Sequence, residues 1–244
     1  MEPIRQGRLV ARLAEGPDDV ARALALRHEA FFRARGLVAG LGEDRDAFDD
    51  RCLHVLVESD GRLSACFRLL LMPDGRAAAT SYSAQFYDLA PLAQLVGPVA
   101  ELGRFCLRPG APDPDLPRLA WAALARLVDA HEVGFLFGCA SLPGADPARH
   151  GAALAALRRG HVGPDGLRPR PLAADRVSLP SAGKGDLAAL PQLLRSYLAL
   201  GGWVSDHAVI DRRLDTLHVF AGLEVAAVPE ARARSLRRIG ALVG

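Results

Sequence analysis

The chain of 244 residues carries 30 basic and 28 acidic residues, which gives a formal net charge of only +2. So small a positive excess does not by itself indicate a nucleic-acid-binding protein. The longest apolar runs, at residues 69–72 and 135–137, are far shorter than the roughly 20 residues that a membrane-spanning helix needs. The N-terminal segment carries Glu2, Arg5 and Arg8 without an apolar stretch between them, so we expect no secretory signal and a cytoplasmic protein.

The cysteines and the single lysine exclude further kinds of catalytic mechanism. No CxxC pair occurs among Cys52, Cys66, Cys106 and Cys139, so zinc binding and redox chemistry are not indicated and buried free thiols are expected. Lys184 is the only lysine among the 30 basic residues and lies in a glycine-rich stretch, so we discard a Schiff-base mechanism. No GxGxxG, GxxxxGKS or GxxxxGKT motif is present. We therefore predict neither a metal nor a cofactor.

The predicted elements of the first half are one amphipathic helix and then strands. Pro17 with Asp18 signals a helix start, and Gly36 ends the run of apolar residues at helical spacing. A turn at Asp60-Gly61 joins two strand patterns into an antiparallel hairpin. In chain order, the sequence predicts a helix over 17–35, an acidic loop at 42–50, strands over 53–57 and 63–71, a short strand near 78–83 and a strand over 99–107.

The second half alternates helices and strands before a C-terminal extension. In chain order, the sequence predicts a helix over 115–131, a strand over 134–140, a helix over 146–159, a strand over 176–179, a helix over 190–200, a strand over 217–220 and a helix after Pro229. This order favours an α/β fold of the α+β kind, with a mixed sheet covered by helices. We place one domain at residues 1–180 and a C-terminal extension, packed on the same domain, at 181–244.

Glu101 and Arg104 are charged residues within the otherwise apolar strand pattern at 99–107. Side chains alternate across a strand, so residues three apart point to opposite faces unless a bulge intervenes, and Gly103 is a residue that permits one. Two charges in a core strand need partners. They form either a buried ion pair with other charged residues or a site where a bent strand presents charge and backbone donors to a substrate.

The acidic loop offers a second candidate site. Asp46, Asp49 and their neighbours form either a solvated charge run or a pocket for a cationic substrate, and spacing alone favours the solvated run. Arg27 and Phe31 on the first helix, and Arg68 on the second strand of the hairpin, are charged and aromatic residues on elements that could pack beside this loop. Together with the loop they form a less accidental set, and both alternatives stay open at this point.

These residues occur in the order found in a known family. Leu26-Arg27 with Phe31, then 46–49 (DAFD), 67–70 (FRLL) and 101–105 (ELGRF), resemble the motif series of N-acyl homoserine lactone (autoinducer) synthases. A closer resemblance, over nearly the full chain, is to the ornithine-acyl carrier protein N-acyltransferases that make lyso-ornithine lipid. The segments that distinguish this second family are 136–144 (LFGCASLPG) with Asp146-Pro147, 201–206 (GGWVSD) and 216–220 (TLHVF).

The resemblance implies a GNAT-like fold with a mixed, mostly antiparallel sheet flanked by helices. It also implies an enzyme that carries a 3-hydroxyacyl chain from acyl carrier protein to the α-amino group of ornithine. The amine would attack the thioester directly, with Glu101 as the base or the amine-orienting carboxylate and Arg104 in support. Asp46 and Asp49 would hold the cationic amino acid. The residues implied to bind substrate are Arg27, Phe31, Asp46, Asp49, Arg68, Ser83, Cys139 and Ser141.

A covalent acyl-enzyme is not favoured by the sequence. Cys139 and Ser141 have no evident His and Asp beside them in the sequence to complete a triad. His54, at the start of a strand, is expected to be structural.

The acyl donor is inferred from residues 108–114 (RPGAPDP). Prolines cannot donate backbone N–H groups to phosphate, so this loop lacks the character of a pyrophosphate-binding loop and favours a carrier protein over free CoA. Because acyl carrier proteins are acidic, Arg108, Arg118 and Arg126 are candidate docking charges, and a solvated helix face explains them nearly as well.

The terminal helix carries four arginines on a partly apolar pattern, namely Arg232, Arg234, Arg237 and Arg238. It is either a helix that makes peripheral contact with the anionic inner membrane, where a lipid product must finish, or an ordinary surface helix.

Two other functions remain as alternatives. The first is an autoinducer synthase that uses S-adenosylmethionine, although the long extension and Leu37, where that family has an aromatic residue, argue against it. The second is a non-catalytic acyl-chain or lipid-binding protein of the haemolysin-like kind. The joint presence of Glu101, Arg104, Asp46 and Arg68 argues against such a decayed site.

Overall fold

The computed structural model of the protein describes residues 1–37, 42–110 and 113–241. Its strands are β1 (Ile4–Gln6), β2 (Leu9–Leu13), β3 (Leu53–Ser59), β4 (Arg62–Met72), β5 (Tyr87–Asp88), β6 (Val99–Leu107), β7 (Phe135–Pro143), β8 (Arg170–Pro171), β9 (Arg176–Ser178), β10 (Trp203–Asp211) and β11 (Thr216–Glu224). Its α-helices are α1 (Pro17–Phe31), α2 (Asp115–Ala130), α3 (Gly151–Gly160), α4 (Gln192–Ala199) and α5 (Glu230–Gly240). Within these described ranges, none of the helices has the length and apolar character to span a lipid bilayer.

The chain divides into two compact units, each discontinuous in sequence. Unit 1 is formed by Met1–Leu71, Leu102–Glu132 and Glu230–Gly244, and unit 2 by Met72–Glu101 and Val133–Pro229. This division passes through β6, whose residues 99–101 belong to unit 2 and whose later residues belong to unit 1. The extension predicted at 181–244 is also shared, because α5 belongs to unit 1 and the residues before it belong to unit 2.

Unit 1 is built on the strand order β1, β2, β3, β4 and the second part of β6. The pairs β1–β2, β2–β3 and β3–β4 are antiparallel. Val55, Leu56 and Val57 of β3 are all fully buried, and because successive side chains alternate, both faces of this strand are covered. Leu56 packs with Leu26 of α1, whereas α2 contacts β1, β2 and β3 and also α5.

Unit 2 is built on the strand order of the first part of β6, then β7, β11, β10 and β9. β6 and β7 are parallel, whereas the pairs β7–β11, β11–β10 and β10–β9 are antiparallel. An aromatic layer lies on these strands, with Phe137 stacked on Phe220 at 5.6 Å between ring centroids and Phe135 beside Trp203 at 5.9 Å. β5 and β8 form a separate antiparallel pair.

The predicted fold class is confirmed, since both units combine mainly antiparallel strands with helices. The hairpin of β3 and β4 and the strand over 99–107 are present. The helix predicted over 17–35 is α-helical as far as Phe31, continues as a 3-10 turn at Arg33–Arg35, and ends at Gly36 with φ of 69°. Glycine suits that last position because its φ is left-handed.

The short strand predicted near residues 78–83 is wrong. Gly75–Thr80 forms a 3-10 helix instead. Asp74 starts it, because a side-chain oxygen accepts hydrogen bonds from the backbone N–H groups of Arg76 and Ala77. The alanines that follow have little preference for a strand, so this local cap decides the conformation.

The hairpin of β1 and β2 and the strand β10 have no counterpart among the predicted elements. The hairpin is short and turns at Gly7, where φ is 58°. β10 begins inside the segment GGWVSD, and its register against β11 shifts between Val204 and Ala208. Such a shift breaks the two-residue alternation from which strands are recognised in a sequence.

Candidate active site

Charged residues of unit 1 form a network, here called the Arg–Asp cluster, that consists of Arg27, Asp44, Asp46, Asp49, Arg68 and Arg104. Arg27 on α1 is only 1% exposed. Its Nε donates to Asp44 Oδ2 at 3.0 Å, and its Nη1 donates to Asp49 Oδ1 at 2.6 Å. Three guanidinium groups therefore meet three carboxylates, so the formal charges of the cluster cancel.

Arg68 on β4 and Arg104 on β6 complete the cluster. The Nη1 and Nη2 atoms of Arg68 donate to the two oxygens of Asp46 at 2.6 and 2.8 Å, and Nη1 also donates to Asp49 Oδ1 at 2.7 Å. Arg104 donates from Nε to Asp44 Oδ2 at 2.8 Å and from Nη2 to Asp46 Oδ2 at 3.0 Å. The planar guanidinium fork suits such bridging between carboxylates, which the single ammonium of lysine would not provide.

The electrostatics of the cluster favour full ionisation. Burial is the largest influence on the pKa of Asp46 and of Asp49 and acts to raise both. The hydrogen bonds and positive charges of the neighbouring arginines, together with backbone hydrogen bonds, outweigh it and hold both pKa values below their usual range. Burial likewise acts to lower the pKa of Arg68, but its hydrogen bond to Asp46 and the negative charges of Asp46 and Asp49 together raise it above its usual value. The cluster is thus charged but internally compensated near neutral pH.

The irregularity that the sequence places at Gly103 lies instead at Arg104. Arg104 has a φ of 53°, in the left-handed region that residues with a Cβ rarely adopt. Such a conformation costs about 1 kcal/mol or more, and the contacts of Arg104 with Asp44 and Asp46 offset it. Gly103 serves a different purpose, because a Cβ there would lie only 3.3 Å from Arg68 Nε.

Glu101 occupies the end of the parallel pairing of β6 with β7 in unit 2. It is 5% exposed. Its Oε2 accepts from the backbone N–H of Tyr82 at 2.9 Å, and its Oε1 accepts from the backbone N–H of Ser83 at 2.7 Å and from Ser83 Oγ at 2.5 Å. Both oxygens of this buried carboxylate are therefore fixed by neutral donors from one short segment of chain.

One face of the unit 2 sheet gathers several polar side chains beside Glu101. Residues paired across neighbouring strands share a face, as do alternate residues along a strand. The register of β6 with β7, and of β7 with β11, therefore places Glu101, Cys139, Ser141 and His218 on one face. Ser83 joins this row, because its Oγ lies 3.4 Å from Cys139 Sγ. Cys139 is half-buried and Ser141 is exposed.

Comparison with known proteins decides the family. Residues 26–122 match the family described as an acetyltransferase (GNAT) domain. An L-ornithine N(alpha)-acyltransferase of Rhodobacter capsulatus is 32% identical over 235 residues, which cover 90% of this chain and 91% of that protein. One of Brucella abortus is 31% identical over 245 residues, covering 92% of this chain and 87% of its own. The chain belongs to the L-ornithine N(alpha)-acyltransferase family. It is an acyltransferase.

Solved structures support the fold of this L-ornithine N(alpha)-acyltransferase family member. An N-acyl amino acid synthase from uncultured soil microbes gives a TM-score of 0.54 at 12% identity, over 91% of this chain and 94% of its own. A CoA-dependent acyl-homoserine lactone synthase gives 0.50 at 12% identity, over 91% of this chain and 88% of its own. At such low identity the likeness bears on the fold alone, and it agrees with the predicted GNAT-like class.

The structure places the other predicted residues of this acyltransferase as follows. Phe31 is half-buried and packs against the apolar contacts of α1 with β3 and β4. Arg108 donates from Nε to the Leu63 carbonyl at 2.8 Å and from Nη1 to Glu29 Oε2 at 2.6 Å. Arg118 is exposed on α2 and pairs with Asp115 in the turn before it. The docking role of the two arginines stays a prediction.

The cysteines of the acyltransferase are all free, as predicted. Cys66 and Cys106 are buried with their sulfur atoms 3.5 Å apart, and the pKa of Cys106 is well above its usual range because of its hydrogen bond with Cys66 and its burial. Cys52 and Cys139 are half-buried. His54 is buried with Nε2 at 3.0 Å from the Asp49 carbonyl oxygen, which fits the structural role expected of it.

Some residues of the two sites escaped the sequence analysis. Asp44 could have been predicted from the sequence, because three arginines beside the acidic loop need three carboxylates to neutralise their charge. Tyr87 had no such signal in the sequence. His218 lies in the segment 216–220 (TLHVF), but its contact with Tyr87 joins side chains 131 residues apart and could not be predicted from the sequence. His218 lies directly opposite Ser141 in the β7–β11 pairing, so a histidine stands beside that serine in the fold although none does in the sequence.

Proposed function

We propose that the protein transfers a 3-hydroxyacyl chain from acyl carrier protein to the α-amino group of ornithine, which gives a lyso-ornithine lipid. The observation that carries this proposal is the similarity to L-ornithine N(alpha)-acyltransferases over 90% of the chain. The Glu101 geometry fits the same chemistry, because a buried carboxylate held rigidly on a sheet face is suited to orienting an amine.

In the reaction the amide carbon–nitrogen bond forms and the thioester carbon–sulfur bond breaks, while one proton passes from nitrogen to sulfur. The lone pair of the neutral α-amine attacks the thioester carbonyl carbon, and the carbonyl oxygen becomes an oxyanion. The amine then loses a proton, the carbon–sulfur bond breaks, and the thiolate of the carrier takes up a proton. Backbone N–H groups would stabilise the oxyanion in this scheme.

We assign Glu101 to orienting the amine rather than to accepting its proton. Both carboxylate oxygens already accept hydrogen bonds from Tyr82 and Ser83. Oε1 accepts two hydrogen bonds from Ser83, so a proton on it would compete with one of these donors and loosen the segment that Glu101 anchors. A water molecule relays the proton in this scheme, so the carboxylate keeps its geometry throughout the reaction.

We assign the Arg–Asp cluster to fixing the shape of unit 1. The contacts of Asp46 and Asp49 with Arg68 and Arg27 favour this role, because these carboxylates already face guanidinium groups. Binding of the cationic amino acid by Asp46 and Asp49 stays a prediction of the resemblance. In either role Arg104 holds its part of β6 in unit 1 through Asp44 and Asp46.

The identity of the donor rests on the loop at residues 108–114. Pro109 and Pro114 lie in described parts of this loop, whereas Ala111 and Pro112 lie outside the described residues. We propose acyl carrier protein as donor, with Arg108 and Arg118 at its docking surface. We also place the enzyme in the cytoplasm, with peripheral contact at the inner membrane through the arginines of α5.

The test is a product assay with the purified full chain. The protein is incubated with 3-hydroxyacyl-acyl carrier protein and with ornithine, glycine or S-adenosylmethionine, and the products are identified by mass spectrometry. We expect 3-hydroxyacyl-ornithine whose fragments place the acyl group on the α-nitrogen, together with free carrier thiol. A parallel reaction with 3-hydroxyacyl-CoA tests the donor.

Other products would replace the proposal. Acyl-homoserine lactone from S-adenosylmethionine would identify an autoinducer synthase. Acylation of the δ-nitrogen would contradict the proposed regiochemistry. Binding of the thioester without any amide, whatever amine is supplied, would identify an acyl-chain-binding protein. Faster transfer from CoA than from the carrier would contradict the proposed donor.

A further inference from the structure

A buried polar centre lies on the same face of the unit 2 sheet as Glu101. His218 of β11 is 3% exposed, and aromatic rings cover it. The ring of Phe86 stands edge-on to its imidazole with 4.9 Å between centroids, and the ring of Tyr87 lies at 5.6 Å. His218 therefore places a polar ring inside an otherwise aromatic layer.

The contacts of Tyr87 determine which imidazole nitrogen of His218 carries the proton. The Tyr87 hydroxyl lies 2.9 Å from the His218 carbonyl oxygen and 3.1 Å from Nδ1. A carbonyl oxygen can only accept, so we assign the hydroxyl proton to this shorter contact, and the assignment makes Nδ1–H the donor to the hydroxyl oxygen. A neutral imidazole has one N–H, so Nε2 carries a lone pair.

That lone pair has no hydrogen-bond partner among the described residues. A buried polar atom without a partner is unfavourable, and folded proteins rarely leave one in place. Under this assignment Nε2 is a buried acceptor that no described group of the protein engages. A group brought by a ligand is the natural complement.

His218 lies on the same face of the unit 2 sheet as Glu101, Cys139 and Ser141. It is paired with Ser141 and lies diagonally across from Cys139, a separation of about 7–8 Å between neighbouring strands. Cys139 contacts Ser83, which in turn binds Glu101. An acyl chain that lies along this face would pass the acceptor.

The neutral charge and apolar surroundings of His218 Nε2 determine which kind of ligand group it can bind. Burial lowers the pKa of His218 to about 4, so the imidazole is neutral near pH 7 and far from the pKa that suits a general base at that pH. An ammonium group would have to leave water for an aromatic layer, which is costly without a carboxylate. A neutral hydroxyl needs only one acceptor and fits an apolar setting.

We infer that His218 Nε2 accepts a hydrogen bond from the hydroxyl group of the acyl chain and thereby selects 3-hydroxyacyl over unsubstituted acyl donors. This inference rests on the proposed function for the identity of the donor. His218 is then a specificity residue for the donor, and it takes no part in proton transfer.

The test compares donor pairs of equal chain length, with and without the 3-hydroxyl. Binding of 3-hydroxyacyl-pantetheine and acyl-pantetheine is measured by calorimetry, and kcat/KM is measured with the corresponding carrier-protein thioesters. We expect the wild type to prefer the hydroxylated member by about tenfold or more in both measurements. His218→Phe keeps a ring of similar size and leaves Tyr87 its carbonyl acceptor, and we expect its preference to fall close to one.

His207→Phe is the matched control. His207 is also buried beside Tyr87 with an unpartnered Nε2, but β10 lies one strand farther from β6 than β11 does. We expect this variant to keep the wild-type preference. The inference is overturned by a wild type without preference, by binding of neither thioester, by a preference that survives in His218→Phe, or by one lost only in His207→Phe. A preference in binding without acylation of ornithine would instead reject the proposed acceptor and leave the inference standing.

Discussion

The Arg–Asp cluster of unit 1 and the Glu101 centre of unit 2, formed by Glu101 with Tyr82, Ser83 and Cys139, stabilise buried carboxylates by different means. Asp49 is held by the guanidinium groups of Arg27 and Arg68. Glu101 is held by two backbone N–H groups and one hydroxyl. The first arrangement cancels charge with charge, whereas the second solvates a negative charge with dipoles.

This difference agrees with the roles proposed for the two sites, a structural role for the Arg–Asp cluster and a substrate-orienting role for Glu101. In the Arg–Asp cluster the charges cancel and the side chains are fixed, so the cluster produces only a weak electrostatic field outside itself. This suits a structural role. Under the proposed function, a carboxylate held by neutral dipoles orients the amine through its negative charge. Removing a partner from the cluster should therefore cost stability, whereas changing the Glu101 centre should cost activity first.

The largest expected effect comes from Asp49→Asn. The change leaves Arg27 and Arg68 buried with one carboxylate fewer, so we expect the free energy of unfolding to fall by about 3–5 kcal/mol in urea denaturation. The neighbouring Asp50 is 85% exposed, and Asp50→Asn should change stability by no more than about 0.5 kcal/mol. Equal effects of the two substitutions would show that the cluster is not a scaffold.

The next largest effect is on the pH dependence of stability. The pKa of His218 is lowered to about 4 in the folded chain, mainly by burial, with Asp211 acting to raise it and His207 to lower it. An unfolded histidine titrates near 6.5, so the unfolded chain takes up a proton that the folded chain refuses. The free energy of unfolding should therefore fall by roughly 3 kcal/mol as the pH drops from 6.5 to 4.

Urea denaturation across this range checks the prediction, with His218→Phe as the variant that lacks the titrating ring. A pH profile unchanged by His218→Phe would contradict it. The Arg–Asp cluster should respond in a different window. Because the pKa values of Asp46 and Asp49 are lowered, their contribution is present above about pH 4 and is lost only as the pH falls further.

Glu101→Gln should lower kcat by about a hundredfold. The amide has one acceptor oxygen where the carboxylate has two, so its NH2 group would oppose the N–H of Tyr82 or Ser83 and cost about 1–3 kcal/mol of stability. Single-turnover acyl transfer and urea denaturation separate the two effects. Glu43→Gln, at an exposed carboxylate in the acidic loop, is the control. If Glu101→Gln gave only unfolded protein and no soluble enzyme of reduced activity, Glu101 would have a purely structural role.

Ser83→Ala is expected to have the smallest effect. It removes the hydroxyl that donates to Glu101 Oε1 and leaves the two backbone donors in place. We expect a loss of about 1 kcal/mol in stability and a fall in kcat of about tenfold, measured in the same two assays. A fall as large as that of Glu101→Gln would mean that the hydroxyl, rather than the carboxylate, acts on the substrate.

Much of the architecture could be predicted from local patterns. The starts of α1 and α2, the hairpin of β3 and β4, and the bounds of β6 follow from caps, turns and apolar periodicity that lie within a few residues of one another. The strand predicted near 78–83 failed because one capping side chain, Asp74, outweighed a weak pattern. β10 was not predicted because a register shift interrupts its alternation.

The sequence by itself determined the family, the order of the charged residues and the candidate role of Glu101, since these depend on residue identity along the chain. The tertiary structure decided which carboxylate each arginine meets, that the backbone bends at Arg104, and that Tyr87 orients His218. The physical reason is that hydrogen bonds and ion pairs depend on distances between residues far apart in sequence. The backbone N–H groups that hold Glu101 are common to almost every residue, so no pattern of side chains could have revealed them.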